Sequence, residues 1–185
     1  MMSPDLSLVL GARGDRWEST RSMGFFSPRA TLTWRANDLA SLQFSAARSY
    51  RTPTLNELYR GFRVGNVVTN ANPLLAPERL TSLEGGVLFG HERASARVTA
   101  FYNVLDDAIS NITLTTTPAL TTRERQNADQ VGSSGVEVEG DVRPHPRVTL
   151  SLFGAFTAAH FKNTPKQPAI QDNRIPQVPV YHVGA

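Results

Sequence analysis

Four histidines, His91, His145, His160 and His182, are the residues best suited to metal ligation or general base work. They are scattered along the chain, with no His-x-x-x-His or His/Glu cluster. Glu137 and Glu139 stand two apart, the kind of pair that glycosidases use as acid and base. On a strand, that spacing puts both carboxylates on one face, and a hydrated face explains them more simply. Gly132-Ser133-Ser134-Gly135 has no Gly-Lys-Ser/Thr after it, so it is not a phosphate loop. Arg13-Gly14-Asp15 falls inside a strand pattern and is read as chance, and Asn111-Ile112-Thr113 matches a glycosylation sequon too short to carry weight by itself. No serine, histidine and acid are set at a catalytic spacing. The residues predict no enzyme, no bound cofactor and no resident metal.

The elements that carry these residues are strands. The chain has 185 residues, no cysteine and 40% hydrophobic content. Disulfides and thiolate metal sites are thereby excluded. No apolar run approaches the roughly 20 residues of a membrane helix. Net charge is +3, with arginines such as Arg13, Arg48, Arg63, Arg97 and Arg143 dispersed. Nucleic-acid binding calls for a basic stripe, so no nucleic-acid partner is expected.

Apolar and polar residues trade places along most of the chain, the period of half-buried strands. Leu6, Leu8, Leu10 and Ala12 oppose Ser7, Val9, Gly11, Arg13 and Asp15 over about 5–17. Comparable ladders run over about 26–35, 40–50 and 94–104, the last extending toward Leu114, with Phe101 on the polar side. The cleanest, over about 130–142 and extending back toward Arg123, sets Val136, Val138 and Val142 against Glu137, Glu139 and Asp141. Ladders around Leu83, Val87 and Phe89, around Val148 to Phe156, and from near Val178 complete an antiparallel meander of about eight long strands.

Three polar turns, near 36–39, 90–93 and 143–146, alternate with longer connections near 18–24, 51–79, 115–122 and 162–176. Arg143-Pro144-His145-Pro146 should break its ladder, because proline cannot donate to it. Short turns at one end and long loops at the other are the mark of an outer-membrane barrel. Trp17, Trp34, Tyr50 and Tyr102, at or near strand ends, would form its interfacial girdles. A β-sandwich that buries its apolar faces against each other is the soluble alternative, and predicts shorter strands. A passive porin-like channel is the other.

Within the 51–79 connection, Thr54-Leu55-Asn56-Glu57 fits a capping box and predicts one helical turn through Tyr59. Asn72-Pro73 and Ala76-Pro77 impose extended or turned backbone. The same stretch resembles the C-terminal barrel of TonB-dependent outer-membrane receptors. The resemblance rests on Tyr50, Arg51, Pro53, Thr54, Glu57, Leu58 and Tyr59, then on Asn72, Pro73, Leu75, Pro77 and Glu78, then on Ser82, Glu84 and Gly86. It continues through Phe101-Tyr102-Asn103 with Asp107 and Ile109, the Gly135 to Gly140 strand, and Pro176-Gln177-Val178-Pro179.

That resemblance implies an all-β chain forming part of a transmembrane barrel of about 22 strands, plugged by a separate domain. Residues 1–185 would be a partial barrel, lacking the plug and the remaining strands. It implies a bacterial outer-membrane location, with outer-membrane lipid as one partner. The others would be a small-molecule ligand such as a ferric siderophore, another metal chelate or cobalamin, and a TonB-type energising complex. The amino terminus shows no signal peptide, energiser box or plug, and both ends look cut, so this segment alone is not expected to transport. Long loops and the upper lumen close on the ligand in such receptors. Arg51, Tyr59, Arg63, Asn66 and Asn72 are therefore the candidate ligand-binding residues, the arginines suited to an anionic group. Their alternative role is to brace the loop against its neighbours. Arg97, on the wet face, is open to both readings.

Overall fold

The computed structural model describes residues 5–185; residues 1–4, on which the reading of the amino terminus rests, lie outside the described residues. Ten strands form a single sheet. They are β1 (Leu6–Glu18), β2 (Ser22–Arg35), β3 (Ala40–Arg51), β4 (Phe62–Val64), β5 (Val67–Asn70), β6 (Glu78–His91), β7 (Ala94–Thr116), β8 (Thr121–His145), β9 (Val148–Asn163) and β10 (Tyr181–Gly184). One helical turn, α1 (Leu55–Tyr59), interrupts them. The order β1-β2-β3-β6-β7-β8-β9-β10 is an antiparallel meander. Its seven long strands run from 12 to 25 residues, longer than soluble sheets need and long enough to cross a bilayer at a tilt. Among the described residues no helix is long and apolar enough to cross a membrane, which says nothing of strands.

Cross-strand register turns the alternation into a surface. One row reads Leu8, Leu32, Phe44, Gly85, Ala100, Val136 and Phe156, each directly opposite the next. Another reads Leu6, Trp34, Leu42, Val87, Val98, Val138 and Gly154. Among the described residues no second layer lies over this face. Leu10 is 71% exposed, and Val136, Val138 and Val142 are 40–47% exposed. A sandwich would have buried those valines. The opposite face carries Thr31, Ser45, Glu84, Thr99, Glu137 and Glu139, with Arg97 paired to Glu139 across the strands.

Several boundaries differ from the sequence reading, each for a local reason. The 18–24 connection is tight: Glu18 pairs with Ser22 around Ser19-Thr20-Arg21. The ladder also runs through Pro144, because a register shift between Val142 and His145 excuses the proline from donating. The turn there is the Pro146-Arg147 pair. Residues 117–120 close a hairpin between β7 and β8 that rises past the ends of β6 and β9. Tyr102 lies within β7, away from its end. The last strand begins at Tyr181.

Phe101, which broke the alternation, has a partner that explains it. It pairs with Gly135, and its ring occupies the space a Gly135 side chain would need, together with the Phe156 carbonyl. The buried apolar residues gather near the long-loop end, at Leu58, Leu75, Ala108, Ile112, Ala128 and Ala159. The core therefore holds loops to the raised hairpin and does not lie between sheets.

Candidate functional site

The 52–77 connection leaves β3 and returns to β6 after crossing to the far side of the raised hairpin. Thr54 starts it with a full capping box: its hydroxyl accepts from the Glu57 backbone N–H (3.2 Å), and the Glu57 carboxylate accepts from the Thr54 N–H (2.7 Å). α1 follows, as expected. The short hairpin β4–β5, turned by Gly65 at φ +58, was not foreseen. β5 joins the top of β8 in parallel, Val67 opposite Thr121 and Asn70 opposite Glu124, the one parallel pairing among the described strands. Strands of three and four residues give too little periodicity to read from sequence.

Side chains of β8 hold this loop. Arg125 donates to the carbonyls of Asn56 and Arg60, both at 2.8 Å, and its guanidinium lies 5.2 Å from the centre of the Phe62 ring. Asn127 clasps Ala76 from both sides, accepting from its N–H (2.7 Å) and donating to its carbonyl (2.8 Å). Leu58 and Leu75 are buried beneath these bonds. Neither Arg125 nor Asn127 was singled out from the sequence. Their partners lie 51 to 69 positions away, and no local pattern carries that information.

The five candidate residues divide into two groups. Arg51 lies between Glu57 (3.1 Å) and Glu78, bonded to both, and Glu78 also accepts from the Ile109 N–H (2.7 Å). Burial alone would raise the Glu57 carboxyl. Hydrogen bonds from Arg51 and Thr54 outweigh it and hold the group below the usual carboxylate range. Asn72 donates to the Arg125 carbonyl (2.9 Å) and accepts from the Leu74 N–H. Tyr59 shares a hydroxyl bond of 2.9 Å with Ser19 on the β1–β2 turn. Thr20 and Arg21 of that turn donate to the carbonyls of Pro73 and Leu74. Arg51, Tyr59 and Asn72 thus brace the loop. Arg63 and Asn66 stand at the β4–β5 tip, where Arg63 donates to the Gly65 carbonyl (2.9 Å) and the Asn66 carbonyl accepts from the Thr121 N–H.

Below the loop, a hollow on the polar face is lined by Glu84, Arg97, Thr99, Phe101, Asn103, Glu137 and Glu139. Among the described residues no group of three or more metal-ligating side chains comes together.

A family profile described as "TonB dependent receptor-like, beta-barrel" matches residues 2–184. The chain belongs to that family. No curated protein sequence matches it significantly. Solved structures share the fold. The siderophore receptor PirA from Pseudomonas aeruginosa is 17% identical at a TM-score of 0.73, covering 88% of this chain and 33% of that one. The FrpB iron transporter from Neisseria meningitidis (F3-3 variant) is 20% identical at 0.68, covering 89% and 25%. The copper transporter OprC is 16% identical at 0.72, covering 97% and 29%. This receptor-barrel chain thus spans between a quarter and a third of the length of these structures. The matching profile and these neighbours are described as receptors and transporters.

Proposed function

We propose that the chain forms a sector of the wall of an outer-membrane importer for a scarce small molecule, such as a ferric siderophore, another metal chelate or cobalamin. The remaining wall and a plug would come from the rest of the polypeptide, with a TonB-type complex supplying the energy. One observation carries the reading. The apolar rows run across seven paired strands and stay uncovered by the described residues, while the other face carries polar and charged side chains. Hydrocarbon on one side and water on the other satisfy both faces.

In this reading Arg63 and Asn66 reach the ligand from the hairpin tip. Arg51, Tyr59 and Asn72 set the height and tilt of the loop that presents them. An arginine at the tip suits an anionic chelate, through paired hydrogen bonds. Growth of a strain deleted for the full-length gene on defined iron, copper and cobalamin sources tests the assignment. Loss of growth on one source, restored by the intact gene, is the expected result, with short-term uptake of that source abolished by a protonophore. Uptake that survives the protonophore would assign the barrel to passive diffusion instead.

A further inference from the structure

At the foot of the raised hairpin the ladders are irregular on both sides of Asp129. Ala128 is an extra residue in β8, between the Ala108–Asp129 and Ile109–Asn127 pairs. Lys162 is an extra residue in β9, between the Gln130–Asn163 and Val131–Phe161 pairs. Bulges of this kind leave backbone groups out of the ladder. One step beyond the Gln130–Asn163 pair, register brings Asp129 beside Thr164, the first residue after β9. Asp129 is 2% exposed and Thr164 0%. Both Asp129 carboxylate oxygens and the Thr164 hydroxyl are buried with no hydrogen-bond partner among the described residues. Asp129 also enters none of the ion pairs among those residues. The turn that Thr164 opens is fastened to β8 nearby. Its carbonyl accepts from the Gln167 N–H (2.9 Å), and Lys166 donates to Gln126 (2.8 Å), which in turn donates to Glu124 (2.7 Å). Lys166 is therefore committed away from Asp129. Two neighbouring groups that could bond each other and do not mark a site for something held between them.

We infer that Asp129 and Thr164 hold a small monovalent cation, of sodium size, at the foot of the hairpin. A buried carboxylate without a counter-charge is costly, and a water molecule would satisfy its hydrogen bonds without neutralising it. One carboxylate carries one negative charge, so a monovalent ion leaves the site neutral, whereas a divalent ion strands a positive charge. Oxygen donors alone suit a hard cation. Among the described residues no three metal-ligating side chains come together, which also speaks against a divalent ion. Burial this complete admits a water-sized ion, and neither a chelate nor a further side chain. The ion joins β8 to the connection after β9 and steadies the root of the hairpin that carries the 52–77 loop. The inference does not depend on what the importer carries.

Hydrogen exchange of the full-length polypeptide in detergent tests it, with sodium chloride compared against N-methylglucamine chloride at equal ionic strength. The organic cation is too large to enter. With sodium at about ten times its dissociation constant, exchange over 104–110, 126–132 and 160–167 should slow about tenfold, while β1–β3 stay unchanged. Asp129→Asn keeps the shape, removes the charge and should abolish the sodium effect. Glu137→Gln, on the exposed polar face, should retain it. Equal exchange of the parent in the two salts overturns the inference in favour of a buried water, a comparison that needs no variant to fold. A sodium effect that survives in Asp129→Asn overturns it too, as does a parent that responds to calcium and not to sodium.

Discussion

Arg51 sits between two carboxylates of different standing. Glu78 is buried, whereas Glu57 belongs to a helix cap at the rim. Arg51→Met is expected to loosen the 52–77 loop by about 1–2 kcal/mol, since one partner is left buried with fewer donors and the other is partly screened by solvent. Limited proteolysis of the loop in detergent should register it as faster cleavage around Arg60 and Arg63. Acid should act in the same direction. The Glu57 carboxyl is depressed in the folded loop, so its stabilising contribution is present above the ordinary carboxylate range and is lost as pH falls through its folded value. Cleavage should accelerate as pH falls below the ordinary carboxylate range in the parent and show a weaker pH dependence in Glu57→Gln.

At the level of elements, the raised β7–β8 hairpin and the loop it carries are one unit. Leu75 is 1% exposed under the Asn127–Ala76 bonds. Leu75→Ala should cost about 2–4 kcal/mol of local stability, seen as hydrogen exchange spreading through β4, β5 and the top of β8 while β1–β3 stay protected. Gly135 shows the opposite constraint, where space is missing. Its side-chain position is filled by the Phe101 ring and the Phe156 carbonyl, so Gly135→Ala forces β8 away from β9. The expected result is a lower yield of folded barrel on heat-modifiable gel migration, partly rescued by Phe101→Leu, which frees the ring's space. Rescue by a smaller neighbour would separate overpacking from loss of backbone freedom.

The same sheet responds oppositely to charge on its two faces when the molecule is taken whole. Val138→Arg places a cation in the middle of the apolar rows and should cost about 2–4 kcal/mol in lipid. Thr99→Arg, on the polar face beside Glu137, should leave folding nearly unchanged. Urea unfolding in lipid vesicles measures both. Equal tolerance of the two substitutions would argue that neither face meets hydrocarbon. Two apolar side chains placed opposite each other, Val98 and Val138, gain from each other only modestly; removing the whole band from water stabilises the sheet far more.

Strand existence, the face each residue takes and the capping box were legible because they depend on neighbours within four positions. Period two fixes which side chains share a face, and Thr54 with Glu57 fixes where a helix must start. The resemblance in the 49–86 stretch likewise needed only ordered local pieces. Other features needed the folded chain. The 18–24 segment looked long because Ser, Arg and Gly favour loops, yet β1 and β2 stay paired almost to its tip. The short strands β4 and β5 carry too few residues for a period to show, and the parallel pairing to β8 and the grip of Arg125 and Asn127 on the loop join residues more than fifty positions apart. That Arg51 bonds both Glu57 and Glu78 depended on where Glu78 came to rest. Sequence alone determined that one face would be dry and the other wet. Only the tertiary structure decided that no second layer of the described residues covers the dry face, because register between distant strands lines its apolar rows up on one exposed side.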